Sequence, residues 1–273
     1  MPFPEMKHDE PKPKSKGMIH LSRDKGVGYI VLDNSSKRNA ISAPMWRAIV
    51  DALGAFEIDA TVRCVVISGR GNTAFCSGAD IGELDQSTVT STAEPDRLAV
   101  EALQKVRSFP KPTIAMISGY CLGAGVAIAI ACDLRMASLG AAFGVPAARL
   151  GLPYNYTGLH RLATLVGPSK TKWILFSGDR LSAEQALRFG LIDDLVSRKE
   201  LNATVTGLAG RIAANAPLTI ASAKHALETA FDVSGERDLE GCAQREQACW
   251  ESADFTEGRR AFLEKRVPVF QGR

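Results

Sequence analysis

Alternation of apolar and polar side chains opens the patterned part of the chain. MIHLSRDKGVGYIVLD, residues 18–33, alternates on both sides of Asp24-Lys25-Gly26, which predicts a β-hairpin turning on that tripeptide. The period then lengthens: after Ser42, with Pro44 in the first turn, Met45, Ile49, Ala52, Leu53 and Phe56 recur at the spacing of one buried helix face. CVVIS at 64–68 is short and β-branched, the mark of a strand buried on both sides. Leu98, Ala102, Leu103 and Val106 trace a second helix over 96–109, stopped by Pro110, and PTIAMIS at 112–118 supplies the next strand. Strands that return after a helix or a long connection form β-α-β units with right-handed crossovers, so an α/β core follows. From residue 181 the pattern becomes helical, with Ser182 and Gln185 as a capping box and Gly190 as a stop.

Composition narrows the function classes. A chain of 273 residues, 45% hydrophobic, can bury a sizeable core as one large domain or two small ones. The net charge is only +3 and no dense Lys/Arg block accompanies it, which argues against nucleic-acid binding but leaves room for a pocket that takes an anionic ligand. The six cysteines lie mostly in apolar stretches, without a C-x-x-C pair or metal-ligand spacing to the four histidines. They read as reduced core thiols of a cytoplasmic protein with no metal. Residues 1–17, rich in Pro and charge and lacking the apolar run of a signal peptide, read as a disordered tail. No apolar window is long enough for a transmembrane helix.

The candidate chemistry lies in two loops, FCSGAD at 75–80 and GYCLGAG at 119–125. Each follows or ends a predicted strand and places small residues where a backbone must approach something closely. Two N–H groups converging from such loops suit a developing oxyanion on an acyl carbonyl, and the second loop opens a helix whose positive end adds to them. Either loop alone is most simply a tight turn.

These loops belong to a longer series: KRNAIS at 37–42, FCSGADIGEL at 75–84, KPTIAMISGYCLGAG at 111–125, CDLRMAS at 132–138, FGVP at 143–146 and AFLEKRVPVF at 261–270. In this order and spacing they resemble the crotonase, or enoyl-CoA hydratase/isomerase, superfamily from about Ile19 to the C-terminus. The resemblance implies a spiral β-β-α core over residues 18–200 and a C-terminal helical trimerisation region over 201–273, assembled as a homotrimer or a dimer of trimers. It implies an acyl-CoA substrate, no cofactor, and an oxyanion hole made by the N–H groups of Ala79 and Ala124. It also places CoA near Arg38, Asn39, Ala40, Gly78, Asp80 and Ile81, with Gly123 in the second donor loop and Phe262 and Lys265 toward the nucleotide.

Hydratases of this family work with two glutamates, whose positions here are Ala127 and Ala147. Alanine transfers no proton, and general acid–base catalysis is commonly worth roughly 10²–10⁴-fold. The stretch RLGLPYNYTGLHRL at 149–162 is similar instead to the methylmalonyl-CoA decarboxylase subgroup, although that subgroup carries a histidine at position 79 and a glutamate at 127. Decarboxylation of a malonyl-type thioester generates an enolate without a base at carbon, with Tyr154 expected to orient the leaving carboxylate and Asn155 to assist. The alternatives are a hydratase or isomerase using other side chains, such as Glu83, Asp85 or Tyr154, and a CoA-thioester binder without turnover. Tyr120 and Tyr156 are expected as pocket walls. His160 and Asp133 are expected to be structural, and Arg149 to face solvent or a neighbouring subunit.

Overall fold

The computed structural model describes residues 17–80, 93–232 and 237–273. The predicted hairpin is present: β1 (Met18–Asp24) pairs antiparallel with β2 (Val27–Asp33), and Lys25 and Gly26 turn the chain with positive φ. The helix α1 (Ala43–Ile58) starts after Ser42 and buries Met45, Ile49, Ala52, Leu53 and Phe56 as the spacing requires. Trp46 joins that face.

A β-β unit then repeats. The strand β3 (Cys64–Gly69) is followed by β4 (Ala74–Cys76), β5 (Thr113–Ile117) by β6 (Tyr120–Leu122), and β7 (Leu134–Ser138) by β8 (Ala142–Gly144). The first member of each pair enters a six-stranded sheet and the second a four-stranded sheet, in which β4, β6 and β8 run parallel. Helices return the chain between units: α2 (Ala93–Ser108), α3 (Ala124–Ala131), then α4 (Ala147–Leu150) and α5 (Tyr156–Ser177). Two sheets advancing one strand per unit make a spiral α/β core, and the buried side chains between them form one continuous cluster.

The region after 181 is not purely helical. The strand β9 (Leu181–Ser182) pairs antiparallel with β8, the capping-box helix α6 (Ala183–Phe189) follows, and β10 (Asp194–Val196) pairs parallel with β7. Strands this short show no alternation of their own, and the edges of the two sheets supply their partners. The helix α7 (Leu201–Ala214) buries Leu201, Val205, Ala209 and Ala213 against Val27, Cys64, Val66, Ile114 and Met136 of the large sheet. By contrast α8 (Pro217–Ala230) and α9 (Leu239–Glu251) have no buried residue, and α10 (Ala253–Glu264) leads to the C-terminal segment.

Candidate active site

Two strand ends of the small sheet deliver the glycine loops to one place. Gly78 (φ +121°) and Gly123 (φ +51°) adopt backbone conformations that favour glycine, and a Cβ on Gly123 would lie 3.7 Å from Gly78 Cα. One on Gly125 would lie 2.4 Å from the Cys76 carbonyl oxygen, so the loops touch through backbone alone. Ala79 forms a parallel bridge with Ile41, in which Ile41 N–H donates to Gly78 O and Asp80 N–H to Ile41 O, both at 2.9 Å. That pattern turns the Ala79 N–H away from Ile41, and it makes no backbone hydrogen bond among the described residues. Ala124 is the first residue of α3, where an N–H has no acceptor within the helix. No acidic residue sits in the first turn to compete for the positive helix end.

The segment from Lys37 to Ala40 is a brace for the first loop. Asn39 is buried and donates to the carbonyls of Arg70 and Ala74, while Ala40 is buried beside it. Asp80, also buried, receives Lys37 Nζ at 2.6 and 2.8 Å. Its backbone N–H is used by Ile41, so within the chain both polar groups serve the loop's shape. Arg38 and Arg180 lie 5.5 and 5.2 Å from the centroid of the Tyr120 ring, which makes that ring a support for two cations rather than a wall of the cavity described next.

A cavity of about 560 Å³ opens beside α3. Ala127, Ile130 and Ala131 share the wall of α3, Val100 and Leu103 face it from α2, and Asn155 stands at the start of α5. Ala127 therefore contributes a methyl where the resemblance points to a proton-transfer group. Ala147 packs with Ala124 and Tyr154 against the main core. Asn155 Oδ1 caps α5 by accepting from Gly158 N at 2.7 Å, which leaves its amide nitrogen free to donate.

Tyr154 departs from its expected placement. Its hydroxyl is buried and has no hydrogen-bond partner, and the ring packs 2.8 Å from where a Cβ on Gly158 would stand. Burial pushes the phenol up to about 12, with the Cys121 sulfur adding to the effect, so the group stays a protonated donor. In this conformation it faces the interior rather than the cavity. Tyr156 is also no wall: it is 71% exposed and stacks near His160, whose ring lies 3.5 Å from Thr164 Oγ1. Arg149 pairs with Asp179 at the surface, and Asp133 ties Thr113 to Lys224. Phe262 is 83% exposed near the end of α10 and Lys265 caps that helix in the left-handed region, so within one chain both face solvent. Ile81, Glu83 and Asp85 lie outside the described residues.

Sequence reasoning missed a charged cluster on the same cavity. Glu228 of α8 receives Arg107 Nε of α2 at 2.6 Å and lies 3.3 Å from an Arg161 amino group of α5. Its members are separated by up to 121 residues, and each alone reads as an ordinary helix-surface charge. Among the described residues no group of three or more His, Cys, Asp or Glu could hold a metal, and no helix is long and apolar enough to cross a membrane.

The fold and the two apposed glycine loops, one of them opening a helix, define a class, the spiral β-β-α proteins. A sequence profile described as enoyl-CoA hydratase/isomerase matches residues 22–273. The crotonyl-CoA hydratase of Syntrophomonas wolfei is 31% identical over 252 residues, covering 92% of this chain and 97% of that one. Among solved structures, an enoyl-CoA hydratase/carnithine racemase from Magnetospirillum magneticum superimposes with a TM-score of 0.88 at 31% identity, covering 93% and 96% of the two chains. An enoyl-CoA hydratase from Bacillus anthracis gives 0.86 at 29%, covering 93% and 99%. The chain belongs to the enoyl-CoA hydratase/isomerase family, the crotonase superfamily.

Proposed function

We propose that the Ala79 and Ala124 N–H groups bind the thioester oxygen of an acyl-CoA and stabilise it as an enolate, formed by loss of CO₂ from a malonyl-type thioester. The observation that carries this reading is the pair Ala127 and Ala147. One is a methyl on the cavity wall and the other a half-buried methyl against the core, so neither transfers a proton. The described carboxylates on the cavity do not replace them: Glu228 is held by two arginines, Asp238 by His225 and the Gly241 N–H, and Asp232 is engaged as well.

In the reaction the bond between C2 and the carboxylate carbon breaks, its electron pair passes into the C2–C1–O system, and CO₂ departs. Two fixed donors stabilise the charge that collects on the thioester oxygen, and C2 then takes a proton from a water molecule, leaving hydroxide to the solvent buffer. We assign the orienting role to Asn155 rather than Tyr154: Asn155 lines the cavity and its helix cap leaves the amide nitrogen unused, whereas the Tyr154 hydroxyl is buried. Holding the carboxylate out of the thioester plane aligns the breaking bond with the carbonyl π system. The substrate is a CoA thioester and no cofactor takes part.

The names of the relatives favour a second reading, hydration of an enoyl-CoA. It requires a proton-transfer group outside positions 127 and 147. Mass analysis of the product from a malonyl-type and an enoyl thioester separates the two. We also place the working unit at a homotrimer or a dimer of trimers, supported by the exposed Trp250, Phe262, Leu263 and Val267 on the last two helices and the segment after them.

A further inference from the structure

The cavity beside α3 has two unlike ends. Near Ala127 it is apolar, with Leu103 facing it, and past Ile130 it meets the Arg107–Glu228–Arg161 cluster. The direction of α3 fixes how far apart these ends are. Arg161 Nε donates to Ile130 O at 3.1 Å, and Ile130 is six residues past Ala124, hence about 9 Å along the axis at about 1.5 Å per residue. An acyl chain whose thioester oxygen meets Ala124 N–H would run along the Ala127, Ile130 and Ala131 face, since residues three and four apart share one side of a helix. Its far end would arrive at Arg161. The methyl of Ala127 leaves that path open, whereas a longer side chain there would enter it.

At this far end two guanidinium groups share one carboxylate. Among the described residues Arg107 uses only Nε, on Glu228, and neither of its terminal nitrogens has a hydrogen-bond partner. Arg161 uses Nε on Ile130 O and one terminal nitrogen on Glu228, and the other has no hydrogen-bond partner among the described residues. The three side chains are only 17–25% exposed, so an added charge there is screened less than on an open surface. The other acids on the cavity are already engaged: Asp238 by His225 and Gly241 N–H, and Asp232 by a further contact. Free guanidinium N–H groups in a fork match a carboxylate, and a second carboxylate would balance the second arginine.

We propose that this cavity is the acyl-chain subsite and that it selects thioesters whose acyl group ends in a carboxylate, read by Arg107 and Arg161. The proposal rests on the acyl-CoA reading above and is independent of which bond breaks. Its test is binding, measured by calorimetry on the full chain with two saturated thioesters of equal length, hexanoyl-CoA and adipoyl-CoA. Adipoyl-CoA should bind about tenfold tighter, the gain of one well-placed charge-assisted pair. In R107M/R161M/E228Q, which removes both cations and neutralises the carboxylate they share so that no charge is stranded, that preference should fall to about twofold or less. Equal or tighter binding of hexanoyl-CoA overturns the subsite proposal and leaves the acyl-CoA reading standing. A preference that survives in the triple variant places recognition elsewhere and also overturns it. If neither thioester binds, the acyl-CoA reading falls and the subsite falls with it.

Discussion

At Gly125 one methyl group would decide the spacing of the two loops. A Cβ there meets the Cys76 carbonyl oxygen at 2.4 Å, and that neighbour is backbone, which cannot rotate aside. Gly125→Ala should therefore cost about 1–3 kcal/mol of stability, as overpacking does, and separate the donors. Thermal unfolding with parallel turnover checks it, and a variant as stable and active as the parent would contradict the apposition. Ala124→Pro is the complementary change. Proline is tolerated at the first position of a helix, so the fold should survive while one donor is lost, with a fall of roughly 10²–10³ in rate. The cysteines give a third test at this scale. Burial pushes the Cys64, Cys76 and Cys132 thiols up to about 12 and raises Cys121 as well, whereas Cys242 and Cys249 are only half-buried. Native protein should take up iodoacetamide at Cys242 and Cys249 and spare the other four; labelling of Cys121 in the folded state would contradict its burial.

At the scale of elements, what the sequence made legible was whatever repeats with a period. The hairpin, α1 and the capping box could be placed because side-chain alternation, the 3.6-residue spacing and a reciprocal cap are local features. β9 and β10 were not, since two- and three-residue strands take their identity from the edges they join. The donor loops were legible as glycine clusters, and Ala127 as a missing acid. The burial of the Tyr154 hydroxyl and the Arg107–Glu228–Arg161 cluster depend on contacts between distant helices, which no local pattern carries. The C-terminal segment offers a prediction of its own. Arg266 and the Val269 N–H hold the Glu257 carboxyl down at about 2. A depressed carboxylate contributes its stabilisation in full above the ordinary value of 4.5 and loses it as pH falls toward about 2. The Val269 amide resonance should therefore titrate near 2, and a midpoint at 4.5 would contradict the anchoring.

Over the whole molecule, the division of labour follows the sheets. The large sheet and α7 bury an apolar cluster, while strands of the small sheet end at the two glycine loops. α8 lines one side of the cavity with Glu228, so the helical arm contributes to the cavity as well as to the surface. Exposed Trp173 and Phe176 on α5, with the arm's own apolar side chains, are the surfaces that self-association would cover. Light scattering should then give three or six times the 29.3 kDa chain mass, and a monomer at micromolar concentration would contradict the assembly. Enolate formation without the two carboxylates can be read directly by mass spectrometry of the thioester after incubation with methylmalonyl-CoA and, in parallel, crotonyl-CoA. A product lighter by CO₂ from the first and no change in the second are expected; a crotonyl product heavier by water would overturn the decarboxylase reading.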